Sequence, residues 1–309
     1  MRAAFAKELE GIDRVEVGEQ SDPQPTTGQA LIRVHAAAIG PWDVGFVNGA
    51  FPGLSVPYVP SQEVAGVVEA VGDETDVQPG DRVFATLFPA GGGFAEYAVA
   101  GMDGLALMPE RASFEEAAAL VIGGGTAYEG LVERGHLRAG ETVLVTAASG
   151  GVGHLAVQIG AAVGARSLGV ASARNHEYLR SLGVGDVYDY HAADWVQHVL
   201  AAAPGGVDLL LDLAGGETKD QAVGAVRDDG RVISVIPPFG PFQLERGITG
   251  ESFGAHITRQ RLEVLSGMVD TGQLRAEVEA VLPLEQSREA LERVAGGHTR
   301  GKVVVQIGN

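Results

Sequence analysis

Apolar positions fall into two regimes along this chain. Up to about residue 113, short runs rich in Val and Ala (Leu31 to His35, Glu63 to Val71, Phe94 to Ala100) alternate with Gly- and Pro-bearing turns such as Gln78-Pro79-Gly80-Asp81 and Gly91-Gly92-Gly93. Runs of this length predict strands, and several of them between turns predict a barrel-like antiparallel unit. From Phe114 the pattern changes. Phe114 to Leu120 and Gly125 to Arg134 are predicted helices, the first with Ser113 as N-cap and Glu116 three residues on, as a capping box requires. Apolar strands then alternate with helices: strand Thr142 to Ala147, helix Val152 to Val163, strand Ser167 to Ala171, helix Arg174 to Leu182 closed by Gly183, then strands Val207 to Asp212 and Arg231 to Ile236. Such alternation predicts an α/β fold, a doubly wound parallel sheet with helices on both faces. Helices at about 258–269 and 284–295 and a strand from Val303 to Ile307 follow.

One turn in the second regime carries a chemical signal. Ala147-Ala148-Ser149-Gly150-Gly151-Val152-Gly153 lies directly between an apolar strand and a helix. A pyrophosphate bound at such a place rests on the free N–H groups of the helix N-terminus. Ser149, Gly150, Gly151, Val152 and Gly153 are therefore candidate cofactor contacts. Gly150 lets backbone approach phosphate, and Gly153 lets the helix pack on its strand. Ala148 stands where the first glycine of G-x-G-x-x-G would fall, so the turn is expected to accommodate a methyl group.

The end of the next strand bears on which dinucleotide binds. A site for NAD carries Asp or Glu there to hold the ribose hydroxyls. Here the strand runs into Ser172-Ala173-Arg174-Asn175, with a hydroxyl and a guanidinium in place of a carboxylate. Both suit a 2′-phosphate. The expected cofactor is NADPH, preferred over NADH by at least about tenfold, with Ser172 and Arg174 on the extra phosphate.

Composition removes other classes. The 309 residues are too many for one core and indicate two domains. A net charge of −18 repels nucleic-acid phosphates and anionic lipid, so neither is an expected partner. No cysteine is present, which excludes disulfides and thiolate metal sites. The start, Met1-Arg2-Ala3-Ala4-Phe5, lacks a signal-peptide core, and no apolar run nears the roughly 18 residues of a membrane span. A cytoplasmic location is expected.

Taken in order, several short pieces carry a family resemblance. They are Gly66-Val67-Val68, Ala70-Val71-Gly72, Val77-Gln78-Pro79-Gly80-Asp81-Arg82-Val83, Gly93-Phe94-Ala95-Glu96-Tyr97, Thr126-Ala127-Tyr128, the glycine loop, Asp212-Leu213-Ala214-Gly215-Gly216 and Gly301-Lys302-Val303-Val304-Val305. Over nearly its whole length the chain resembles the zinc-free quinone oxidoreductase branch of the medium-chain dehydrogenase/reductase superfamily. The resemblance implies a Rossmann domain at 117–256 inserted into a GroES-like β-rich domain formed by 1–116 and completed by 257–309. It implies an active site in the cleft between them and a homodimer joined through the Rossmann sheets. It puts Thr126 near the nicotinamide and Tyr190 by the 2′-phosphate, and it matches Asp43 to a family aspartate.

Against the zinc-dependent members, the segment that would carry the cysteine reads Ile39-Gly40-Pro41-Trp42-Asp43, and the segment that would carry the histidine reads Ser61-Gln62-Glu63. A catalytic zinc takes three protein ligands, which these segments do not supply. No metal is expected. Without one, catalysis rests on positioning beside the nicotinamide and on a hydrogen-bond donor for the developing charge. Suitable acceptors are small carbonyl-conjugated molecules, quinones and α,β-unsaturated ketones or aldehydes. Asp43 and Trp42 are the candidate catalytic residues, the first for proton transfer and the second as an aromatic wall; as bland alternatives, Asp43 accepts turn N–H groups and Trp42 simply packs. Related quinone reductases usually carry asparagine where this chain has Gly40. Two other readings stay open: an enoyl reductase acting on thioester intermediates of a biosynthetic pathway, and a cofactor-binding protein with little turnover.

Overall fold

The computed structural model describes residues 1–308, which divide into two compact units. One comprises Met1–Ile122 together with the chain from Ile257 onward; the other is Gly123–His256.

The first unit is built around one long strand, Gln29–Ile39. Bulges between Leu31 and Ile32 and between Val34 and Ala36 bend it. The bend lets one strand serve three partners, since a bulge turns the strand and raises its twist. Glu63–Val71 pairs along its length, Tyr97–Gly101 pairs with its first half (Gln29 to Arg33), and Lys302–Gln306 pairs with its last residues (Ala36 to Ile39). Arg82–Thr86, Leu105–Leu107 and Val278–Pro283 extend this seven-stranded sheet. Arg2–Ala6 and Val15–Glu19 form a separate hairpin. Ile32, Ile39, Phe46, Val64, Phe94, Leu105 and Val303 meet in the core.

The second unit carries a seven-stranded sheet in the order Asp186–Tyr188, Arg166–Val170, Thr142–Val145, Val207–Asp212, Val226–Ser234, Thr249–Ser252, Gly240–Gln243. All are parallel except the last, which runs antiparallel to Thr249–Ser252. Strand order reverses at Thr142–Val145, whose chain neighbour lies on one side and the later strands on the other. The crevice at the carboxyl end of such a strand is where doubly wound sheets bind ligands. Leu144, Leu168, Val170, Trp195, Leu210 and Val232 are buried in its core.

Several expected boundaries shift. The strand expected at Phe94 to Ala100 runs from Tyr97 to Gly101, because Phe94 and Ala95 turn back onto Ala4 and Ala3 at the first hairpin. The two helices expected at 114–120 and 125–134 are one, Phe114–Tyr128, continued by a wider-pitched turn of helix over Glu129–Arg134. Gly123-Gly124-Gly125 does not break it: a Cβ at Gly123 would fall 2.5 Å from the carbonyl oxygen of Gly151, so the glycine is there for close packing. The capping box forms as expected, with Ser113 N donating to Glu116 Oε2 (2.8 Å) and Glu116 N to Ser113 Oγ (3.2 Å).

Candidate active site

The dinucleotide turn follows from the end of the Thr142–Val145 strand. Ala147 takes the left-handed conformation, with φ of 47°. The tight corner thus sits one residue before the expected position, while Ala148 is fully buried. Gly150 does not offer a free amide: its N–H donates to Ala147 O (3.0 Å) and closes the turn. The N–H groups of Gly151 and Val152 have no partner among the described residues and stand just ahead of helix Gly153–Ala162. They, with the helix end behind them, fit a pyrophosphate. Gly153 has no room for a side chain, since a Cβ there would lie 2.3 Å from Ala147 O.

Ser149 is turned into the unit. Its Oγ accepts from Asn175 Nδ2 at 2.8 Å, and the same amide lies 3.5 Å from Ser172 Oγ. This bond ties the phosphate turn to the turn after strand Arg166–Val170. Ser172 is half-buried and Arg174 exposed. Thr126 is buried. Tyr190 is partly exposed, its ring 4.1 Å from that of His191.

A carboxylate that the strand-end reading did not include reaches the same turn from the neighbouring strand. Asp189 Oδ2 accepts from Ala173 N (3.3 Å), and its Oδ1 accepts from His191 N (3.0 Å). The N–H of His191 holds this carboxyl below its ordinary value, so it is ionised at neutral pH.

In the first unit, the residues expected to act on the substrate belong to a buried polar cluster. Asp43 sits in the first turn of helix Pro41–Val47, and its Oδ2 accepts from Gly40 N at 2.8 Å. The turn-acceptor role is therefore realised. Oδ1 is buried without a partner. Burial, opposed by the Gly40 N–H and reinforced by the charge of Glu63, pushes the acid up to about 8.

Glu63 and Lys302 form an ion pair at 2.5 Å, with side chains 0% and 3% exposed. Glu63 Oε2 also accepts from Ile122 N at 2.8 Å. The Lys302 ammonium lies 4.8 Å from the centre of the Trp42 ring, within cation–π range. Beside them Gln62 Nε2 donates to Tyr58 OH at 2.6 Å, while Gln62 Oε1 and Trp42 Nε1 are buried without partners. Trp42 also packs against the backbone before it. A Cβ built on Gly40 would fall 2.1 Å from Trp42 Cζ2, so the indole occupies the space that a side chain at 40 would need.

Sequence reasoning did not find Glu63, Lys302, Gln62, Tyr58, Asn175 or Asp189 as parts of these clusters. Glu63 and Lys302 are 239 positions apart, and no local spacing joins them. The available signal was a lysine inside the apolar closing strand, which needs a buried partner.

A zinc ion does not fit here. Among the described residues no three His, Cys, Asp or Glu side chains gather in metal-binding range. Both oxygens of Glu63 are engaged, by Lys302 and Ile122. Gln62 faces Tyr58 with its amide nitrogen.

A Rossmann-type sheet with a glycine turn at its reversal point, inserted in the sequence of a GroES-like unit, defines a medium-chain dehydrogenase/reductase. Residues 26–110 match the alcohol dehydrogenase GroES-like domain, and residues 182–305 match a family described as zinc-binding dehydrogenase. The quinone oxidoreductase of Mus musculus is 31% identical over 99% of this chain and 98% of its own length. A solved NAD-dependent alcohol dehydrogenase superposes with a TM-score of 0.91 at 29% identity, covering 100% of both chains. The quinone oxidoreductase of Coxiella burnetii gives 0.88 at 28% identity, covering 100% of this chain and 99% of that one. The chain belongs to the quinone oxidoreductase branch of the superfamily and is an oxidoreductase of a family that uses a nicotinamide cofactor. Among the described residues, no helix is long and apolar enough to cross a membrane.

Proposed function

We propose that the protein is a zinc-independent, NADPH-dependent reductase of quinones or α,β-unsaturated carbonyl compounds. The observation that carries the cofactor half is the turn after strand Arg166–Val170. It holds Ser172 and Arg174 and is fastened to the phosphate turn by the Asn175–Ser149 bond. A hydroxyl and a guanidinium there suit a phosphate.

The cofactor, when bound, supplies hydride from nicotinamide C4. The chain's part is to hold the dinucleotide on the Gly151 and Val152 amides and to keep Thr126 near the nicotinamide. Its substrate unit presents polar groups that are not spent on a metal. The partly exposed ring of Trp42 offers a flat carbonyl acceptor an apolar face, and the buried Gln62–Tyr58 pair keeps the cluster around it neutral and polar. The Tyr58 phenol is held protonated, because burial pushes it above its ordinary value. A homodimer and a cytoplasmic location go with this reading.

The test is steady-state turnover of the purified protein with NADPH and NADH against 1,4-naphthoquinone, 9,10-phenanthrenequinone and an open-chain enone. Preference for NADPH by at least about tenfold in kcat/KM, with turnover of at least one acceptor, supports the proposal. NADPH binding without turnover of any acceptor favours a cofactor-binding protein instead.

A further inference from the structure

The buried cluster of the first unit holds two carboxyl groups and one ammonium. Asp43 and Glu63 are 0% exposed and Lys302 is 3% exposed. Were all three ionised, one negative charge would stand in a dry interior without a counter-ion, which is costly. The geometry decides which carboxyl yields. Glu63 has the ammonium at 2.5 Å on one oxygen and a backbone N–H at 2.8 Å on the other. Asp43 has the Gly40 N–H on Oδ2 and nothing on Oδ1. The better-solvated carboxylate keeps the charge, and the proton resides on Asp43. That proton also turns Oδ1 from an orphaned acceptor into a donor, in a cluster where Gln62 Oε1 is an acceptor left without one.

We propose that Glu63 is a positioning residue that engages Lys302 and so leaves Asp43 a neutral carboxylic acid, so that the polar cluster beside Tyr58 carries no net charge while the acceptor is reduced. This rests on the function proposed above. Reduction places negative charge on the acceptor oxygen, and a second buried anion nearby would oppose it. The charged and titratable groups that face Asp43 are Glu63, Lys302 and Tyr58. Burial is the largest influence on Asp43; after the Gly40 N–H, Glu63 raises its proton affinity, and Lys302 and the Ser61 N–H lower it by less.

The charges predict an unusual order among variants. Glu63→Gln removes the competing anion and leaves Lys302 with Asp43 as its available carboxylate, so Asp43 ionises more readily. The double variant Glu63→Gln/Lys302→Met removes both charges, and the acid form of Asp43 returns. Asp43→Asn fixes a neutral donor and keeps an acceptor for Gly40 N–H. A merely structural ion pair predicts loss of fold on either single change and no ordered effect on Asp43.

The experiment has two readouts. Difference infrared spectroscopy of the full-length protein follows the C=O stretch of the protonated acid as pH is raised. The expected result is a band present at pH 7 and absent from Asp43→Asn. Its midpoint falls by at least one pH unit, about a tenfold change in acidity, in Glu63→Gln and recovers in the double variant. Turnover of 1,4-naphthoquinone with NADPH is expected to show an alkaline limb at the same midpoint, lost in Asp43→Asn. No Asp43-dependent acid band at pH 7, or a limb that persists unchanged in Asp43→Asn, overturns the proposal. Should Glu63→Gln fail to fold, Asp43→Asn decides alone. Should the wild type reduce no acceptor, the proposed function fails, and the infrared titration still decides the state of Asp43.

Discussion

Gly40 and Trp42 occupy one another's space: a Cβ on Gly40 would lie 2.1 Å from Cζ2 and 2.2 Å from Cε2 of the indole. The missing side chain at 40 and the tryptophan two residues later are one feature. Gly40→Asn alone should destabilise the protein by about 1–3 kcal/mol, the usual cost of overfilling a packed site. With Trp42→Ala the same change should be tolerated. A double-mutant cycle by urea denaturation should give a coupling energy of at least about 1 kcal/mol. Additive losses would show that the indole can swing away.

Arg174 and Asp189 flank the turn after the second strand of the Rossmann unit with opposite charges. Arg174→Ala should raise the Michaelis constant for NADPH at least about tenfold and leave that for NADH nearly unchanged. Asp189→Asn should act in the other direction, lowering the NADPH constant several-fold by removing an ionised carboxylate from beside Ala173 N. Initial-rate measurements with both cofactors check the pair. An unchanged NADPH constant in Arg174→Ala removes the 2′-phosphate assignment.

Two glycines of the phosphate turn should respond differently to alanine. At Gly150 the nearest atom to a new Cβ is Ala147 O at 3.3 Å, a tight but bearable approach. Gly150→Ala should fold and bind the cofactor weakly. At Gly153 the same oxygen is 2.3 Å away and Ala148 Cα 2.7 Å. Gly153→Ala should lower the melting temperature of the cofactor-free protein, where Gly150→Ala should not. Thermal denaturation with and without NADPH separates the two effects.

Asp43 also has a consequence for stability. Its acid is raised from an ordinary 3.8 to about 8. Between these values the folded protein holds a proton that the unfolded chain has released, so stability from this group is full below about pH 4 and declines as pH rises to about 8. Above that both states are ionised and the effect is flat. Asp43→Asn lacks the decline. Its melting temperature relative to wild type should therefore rise from pH 5 to about pH 8 and level off above that. A constant difference across that range would mean that Asp43 is ionised throughout.

The architecture was legible because it is written in local periods. The apolar strand Val207–Asp212 matched its expected bounds, and Ser113 and Glu116 announced their helix start three residues apart. The phosphate turn was legible as a place and less so in detail. Which of two adjacent alanines takes the left-handed corner depends on the strand behind it, and Ala147 rather than Ala148 does so. Arg134 illustrates a different limit. It sits over Phe253 and bonds Glu129 across 2.7 Å, giving the end of the long helix a half-buried ion pair that the break expected near Gly123 did not anticipate. The polar cluster was the least legible part, because Lys302 and Glu63 become neighbours through strand pairing that no spacing encodes.

That pairing has a consequence for biosynthesis. Gln29–Ile39 leaves the ribosome early, yet the partner for its last residues, Lys302–Gln306, is made more than 260 residues afterwards. At typical elongation rates that is a delay on the order of tens of seconds. Through that interval the nascent first unit has an unmatched sheet margin and a buried-to-be carboxylate lacking its cation, while 123–256 emerges with every one of its own strands. The inserted unit can mature first, and the unit whose sequence flanks it must wait, a natural client for chaperones that shield open sheet edges.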